Sequence, residues 1–245
     1  MPLFPFRPFA ENNTQTMPMS THAPSASRLR LVISEAGAQP PLARLLALQR
    51  TEEPDVELSL SETSLGRQVE GLLTGLYDVG LATSGEENSG LTAEPIWQEP
   101  LALAVPARSP LLTYTHVPLP EALRYPMVLW HPTACAGIHR QVGRVLHDVT
   151  DAPIVAERVT SSDLMMTLVA AGYGIGLAPA AQIVAYRPLG VVMRPLAGLS
   201  PPLITYLLRP KAEASDSLSR FAQRAVRVGS MRLGDLDGAS SPDSR

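Results

Sequence analysis

Apolar and polar positions alternate along this chain in two registers, and the same order of registers occurs twice. Leu29-Arg30-Leu31-Val32-Ile33 is an apolar strand that stops at the polar run Ser34-Glu35-Ala36-Gly37. Pro40 or Pro41 then suits a first helical turn, and Leu42, Leu45, Leu46 and Leu48 recur at helical spacing. Val56, Leu58 and Leu60 alternate with polar residues as a strand, and Leu65, Val69, Leu72 and Leu73 return to the helical period over 65–75. Gly75 closes that helix as its C′ residue, and Tyr77 to Ala82 is a short apolar strand of the kind buried on both faces. Leu101 to Val105 forms a further strand stopped by Pro106.

The second copy starts at Met127-Val128-Leu129-Trp130, passes through the loop His131 to Gly137, and continues as a helix over 138–148. Ile154-Val155-Ala156 is its next strand, 162–171 its next helix, and Gly174 to Ala178 the strand matching Tyr77 to Ala82. Gly80-Leu81-Ala82 and Gly176-Leu177-Ala178 end the two units, and 18 residues separate Glu62 from Gly80 where 19 separate Glu157 from Gly176. A helix at 180–186, strands at 191–194 and 203–208, and a helix at 214–228 complete the pattern. Alternating strands and helices predict an α/β fold with a parallel sheet in each of two similar lobes.

Ligands of such sheets bind beyond the carboxyl ends of the strands. Here those ends are the loops at 34–39, 62–65, 83–84, 132–137 and 160–163, where helix N-termini offer unpaired N–H groups to a carboxylate or another anion. Composition narrows the partners. A net charge of −3 gives no electrostatic footprint for nucleic acid. No apolar run is long enough for a membrane span, no secretory leader is legible, and the single cysteine, Cys135, excludes an internal disulfide. The expected compartment is the cytoplasm. Residues 1–27, with prolines at 2, 5, 8, 18 and 24, read as a disordered arm, and 229–245 as a disordered tail.

The order and spacing of several short phrases resemble the effector-binding (substrate-binding) domain of LysR-type transcriptional regulators. They are Leu29-Arg30-Leu31, Pro54-Asp55-Val56-Glu57-Leu58, Glu62-Thr63-Ser64, the run Gly75 to Ala82, the run Glu99 to Pro106, Ser109-Pro110-Leu111, and the run Leu168 to Pro179. The resemblance covers about residues 28–228 and implies two Rossmann-like lobes joined by two crossover strands near 101–106 and 193–206, an architecture like type 2 periplasmic binding proteins. It assigns 28–103 with 204–228 to the first lobe and 104–203 to the second. It also implies a small-molecule effector, often an organic acid, held in the interlobe cleft. By position its contacts are Ser34, Glu35, Ala36, Ser64, Thr83, Pro132, Thr133, Ile138, Ser161, Ser162 and Pro179. Two positions depart from the pattern, since Leu65 and Ala36 stand where the family commonly carries hydroxyl residues.

The resemblance further implies a homodimer or higher oligomer, with protomers side by side and antiparallel, and a full-length LysR-type regulator as a second partner. Only 27 residues precede Leu29, and they show no helix-turn-helix pattern, so direct nucleic-acid binding is not expected of this stretch, nor membrane binding. No cofactor, metal site or catalytic residue is expected. His131, Cys135 and His139 lack zinc-ligand spacing and a paired base, and Glu62 and Glu157 recur through repetition rather than as a catalytic pair. Two alternatives stay open, a stand-alone solute-binding protein and an enzyme on the same two-lobed scaffold.

Overall fold

The computed structural model describes residues 28–34, 40–85, 90–147, 152–212 and 214–230. The expected Pro-rich arm lies outside these residues, as do Glu35 and Ala36, while the first two residues of the expected tail continue the last helix. In the first lobe β1 (Arg28–Ile33), α1 (Pro40–Glu52), β2 (Glu57–Glu62), α2 (Leu65–Leu73) and β3 (Val79–Ala82) follow the predicted order. The chain then makes β4 (Leu91–Glu99) and crosses at Pro100 into β5 (Leu101–Pro106). The second lobe continues with α3 (Leu119–Ala122), β6 (Met127–Trp130), α4 (Ala136–His147), β7 (Val155–Val159), α5 (Ser162–Ala170), β8 (Ile175–Pro179), α6 (Ala180–Ala185) and β9 (Val191–Pro195). The return crossing leads to β10 (Leu203–Pro210) and α7 (Asp216–Ser230).

Two five-stranded sheets result, ordered β2-β1-β3-β10-β4 and β7-β6-β8-β5-β9. The expectation of parallel sheets holds for β2-β1-β3 and β7-β6-β8 only, because β10 joins β3, and β5 joins β8, antiparallel. Strands that arrive from the other lobe enter from the opposite end, which makes each sheet mixed. β5 pairs along its length with β8 and β9, so residues 101–103 stand in the second sheet and the chain changes sheets at Pro100. β4 is absent from the sequence pattern. Its Pro95 breaks the apolar run and its alternation slips at a register shift opposite Thr205 and Tyr206, yet an edge strand tolerates a proline.

The repeated phrase has a physical cause. Gly75 and Gly172 adopt φ of 72° and 83°, and in each lobe the next residue donates back into the helix, Leu76 N–H to Gly71 and Tyr173 N–H to Leu168. Inside the following strand, a Cβ on Gly80 would lie 2.5 Å from Gln68 Nε2, and one on Gly176 would lie 2.8 Å from Met165 Sδ. Both glycines let a helix settle directly on its strand. The first sheet buries Leu31, Ile33 and Leu81 under α1 and α7, and Val32, Leu72 and Leu208 on the α2 side. Phe221 and Leu45, fully buried there, contribute roughly 1.5–3 kcal/mol each. Arg224 ties α7 to α1 through Glu52 (2.8 Å) and Glu53 (2.7 Å).

Candidate functional site

The parallel strands set the carboxyl ends of β1, β2 and β3 level, with Ile33 beside both Glu62 and Leu81. Ser34, Ser64 and Thr83 therefore gather at one end of the first sheet. Ser34 N–H donates to the Leu81 carbonyl (3.1 Å), which holds Ser34 against the end of β3. Ser34 and Thr83 are 1% and 2% exposed, and among the described residues neither hydroxyl has a hydrogen-bond partner. Native proteins rarely leave a buried hydroxyl unpaired, because its desolvation is uncompensated. Ser64 is the exposed N-cap of α2, and its side chain makes no cap hydrogen bond.

In the second lobe the loop after β6 carries Pro132 and Thr133, both exposed. Thr133 N–H and Ala134 N–H both donate to His131 Nδ1, at 3.3 and 3.1 Å, so this histidine shapes the loop. His139 Nδ1 donates to the Trp130 carbonyl (3.0 Å), and the buried Cys135 thiol faces the Thr160 carbonyl at 3.5 Å. Ser161 caps α5 by accepting from Leu164 N–H (3.3 Å), and Ser162 Oγ donates to Gln182 Oε1 (3.0 Å). Pro179 is buried where β8 pairs with Leu101. The side chain of Ile138 is fully buried in the core of the second lobe, because it lies on the apolar face of α4 with Val142 and Val145.

Helix α4 closes the seam between the lobes. Gly137 sits against Thr83, where a Cβ would collide with Thr83 Oγ1 and come within 3.2 Å of Ser84 N. One turn on, Gln141 Nε2 donates to the carbonyls of Thr83 (2.5 Å) and Ile204 (2.8 Å), and its Oε1 accepts from Ile204 N–H (2.7 Å). Arg140 donates to Ser84 Oγ (2.9 Å). Beside them a cavity of about 120 Å³ is lined by Thr83, Ser84, Arg140, Gln141, Arg144 and Tyr206, with glycines between. The sequence reading named Thr83 and the loop at 83–84 but missed Arg140, Gln141, Arg144 and Tyr206. The legible signal was Gln141, a polar side chain on the buried face of an amphipathic helix, with Arg140 and Arg144 four apart beside it.

At the crossing, the carboxyl of Glu99 is buried, one of its oxygens has no partner among the described residues, and burial raises its pKa. Among the described residues no three histidine, cysteine, aspartate or glutamate side chains gather to hold a metal ion, and no helix is long and apolar enough to cross a membrane.

Comparison with known proteins adds family and fold. The model of the LysR substrate binding domain matches residues 22–229. The uncharacterized HTH-type transcriptional regulator YnfL of Escherichia coli K12 is 28% identical over 135 residues, 55% of this chain and 46% of that protein. The chain spans about half the length of the curated relatives it matches. The effector-binding domain of QuiR in complex with shikimate superposes with a TM-score of 0.75 at 18% identity, covering 84% of this chain and 98% of that one. The BenM effector-binding domain with its effector benzoate gives 0.73 at 21% identity, covering 88% and 96%.

Proposed function

The chain belongs to the family of LysR substrate binding domains, and from that membership we propose that it is the effector-sensing unit of a transcriptional regulator. The effector is a small metabolite held where the strand ends of the two lobes face one another. One observation carries the reading: two buried hydroxyls, Ser34 and Thr83, stand at adjacent strand ends of the first sheet without partners among the described residues, and Thr83 lies on the lobe seam. A ligand oxygen satisfies them at little cost, since their desolvation is already met in the folded state. Ser64 adds an exposed hydroxyl at the head of α2, and Thr133 one from the opposite lobe. Ser161 and Ser162, already bonded within the second lobe, serve as its frame.

A carboxylate is the favoured effector class. It accepts from hydroxyls and from helix N-termini such as that of α2, and shikimate and benzoate, named with the two similar structures above, are both carboxylates. The residues offered to the ligand are donors of hydrogen bonds, with no nucleophile–base pair among them, and the role is binding rather than turnover. A ligand that favours one lobe arrangement shifts the population toward it, and contacts between protomers read out the shift. A homodimer, or pairing with a full-length regulator of the family, fits the edge strands β2 and β7, which leave Leu60 and Val155 exposed.

The test is a thermal-shift screen with small carboxylates against wild type, Ser34→Ala and Thr83→Val. A ligand at about 100 times its Kd stabilises by about 2.7 kcal/mol, which raises Tm by about 5–10 °C for a domain of this size. The expected result is a hit that both variants weaken. A hit indifferent to both variants, or no response across a broad metabolite set, overturns the reading.

A further inference from the structure

We propose that the cleft between α6 and the open edge of β9, in the second lobe, is a separate ligand site that takes a small organic acid with an apolar body. The cleft measures about 350 Å³ and is lined by Val184, Arg187, Val191, Val192, Met193 and Arg194. It lies along the outermost strand of the second sheet, and none of its lining residues belongs to the strand-end loops at the lobe seam. Helix α6 spends Ile183 on the core and leaves Val184 54% exposed at the cleft. After the short helical turn Arg187–Leu189 the chain returns as β9, which brings Arg187 and Arg194 to line the same space.

The edge of β9 adds backbone donors. Gly190 C=O accepts from Ala107 N–H on the β5 side (2.8 Å), whereas Pro195 C=O accepts from Val117 N–H (2.9 Å) on the opposite side. By the alternation of a paired strand, Val191 and Met193 turn their N–H and C=O groups the same way as Pro195, toward the open edge. Arg194 donates to the carbonyls of Met193 (3.1 Å) and Leu112 (3.3 Å), which fixes its guanidinium at that edge, and its Nε has no partner among the described residues. The open stretch ends at Gly190 on one side and at the Val117 bridge on the other, and Arg194 already takes the Met193 carbonyl. It is too short to pair an added peptide strand, but a carboxylate can accept from its N–H groups and from both arginines.

Charge and size select the ligand. Neither residues 101–120 nor residues 164–212, which supply β5, α6, β9 and the turns between them, contain an aspartate or glutamate, and Asp163 on α5 accepts from the Tyr186 hydroxyl. The two arginines therefore face the cleft without a local carboxylate, beside the apolar side chains of Val184, Val192 and Met193. The volume reaches the lower end of the roughly 300–1,000 Å³ of small-molecule sites. Beyond Pro195 the chain runs through 196–202 into the return crossing to β10, so a ligand on β9 bears on a strand that leads to the other lobe.

Hexanoate and phenylacetate, titrated into the isotope-labelled chain, should shift the amide signals of Val191 and Met193 in a saturable way. Acetate, which lacks the apolar body, and hexanol, which lacks the charge, should each bind at least about tenfold more weakly. Arg187→Gln and Val184→Glu should each weaken the acids by a similar factor, and both residues are exposed, so both variants should keep the wild-type Tm. Ser34→Ala and Thr83→Val should leave these titrations unchanged. Acid binding that is lost in Ser34→Ala but indifferent to Arg187→Gln and Val184→Glu belongs to the seam, which overturns this proposal and leaves the sensing role standing. The proposal also fails if neither acid shifts the two amides, if hexanol binds as tightly as hexanoate, or if only an extended acidic peptide shifts them.

Discussion

The side-chain amide of Gln141 pairs with both backbone groups of Ile204, accepting from its N–H at 2.7 Å and donating to its C=O at 2.8 Å. β3 pairs with β10 only as far as Ala82 opposite Tyr206, and continuing that register would set Ser84 opposite Ile204. A side chain of the second lobe therefore takes up a ladder position that the first lobe leaves open. Its Nε2 also reaches the Thr83 carbonyl, so one residue grips two strands of the other lobe.

Gln141→Ala should destabilise the protein by about 2–3 kcal/mol, because it strands buried backbone groups of Ile204 and Thr83. Gln141→Glu should be at least as costly, since a carboxylate cannot donate to either carbonyl. Denaturant unfolding gives the loss, and a change of slope with Gln141→Ala would mean that the lobes unfold separately.

Gly137→Ala should cost about 1–3 kcal/mol through overpacking against Thr83 and Ser84 N. It should also push α4 off the seam, which weakens any ligand held there. Thermal melts measure the first effect and ligand titration the second. Unchanged values for both would show that α4 does not bear on Thr83.

Asp78 accepts from Arg30 N–H (2.7 Å), Nε (3.1 Å) and Nη2 (2.6 Å). Burial alone would raise its pKa, but these bonds and the positive charge of Arg30 outweigh burial and lower it. A lowered folded-state pKa means that the stabilisation is complete above the unfolded value, about 4, and is lost as pH falls through the folded value. Asp78→Asn should cost about 1–2 kcal/mol at neutral pH, discounted for partial exposure. The difference from wild type should shrink on acidification, as pH-dependent melts would show.

Glu99 has the opposite sign. Burial raises its pKa, so the folded state holds its proton more tightly than the unfolded state, and stability falls as pH rises from the unfolded toward the folded value. Glu99→Gln should melt higher than wild type at neutral pH, with the gain disappearing below the ordinary carboxylate range. A lower melting point at neutral pH would mean that the charged carboxylate is bound by a group in the native state.

Arg224 is buried between Glu52 and Glu53, and also donates to Gln49 Oε1 at 2.8 Å. Arg224→Met should destabilise by about 3 kcal/mol by removing the buried partner of Glu53, which keeps only the more exposed Arg220 as a charged partner, and adding Glu53→Gln should recover part of that loss. Unfolding of both variants measures it. Equal losses would mean that packing of the arginine stem, rather than its charge, joins α7 to α1.

The units that repeat were legible because each carries its own period. The leucines of α1, the alternation of Val56, Leu58 and Leu60, and the Gly-Leu-Ala strands state their geometry locally. β4 was not legible, since an edge strand with Pro95 and a slipped register writes no regular pattern. Ser34, Ser64 and Thr83 were nameable as residues at strand ends, whereas the burial of the Ile138 side chain was not legible, because position alone did not separate the loop it follows from the core face it joins. Gln141 and the two arginines of α4 were passed over, because a polar residue on a helix has no stated partner until another element reaches it.

By itself the sequence determined the two α/β units, their order, and the glycines that let α2 and α5 settle on β3 and β8. These depend on neighbours a few residues away and on the fixed periods of helix and strand. Only the tertiary structure decided that β5 and β10 enter antiparallel, that Ser34 and Thr83 are buried without partners among the described residues, and that α4 of one lobe completes the hydrogen bonding of the other. Those outcomes join residues more than forty positions apart. The free energy of such contacts exists only after the chain has closed around them.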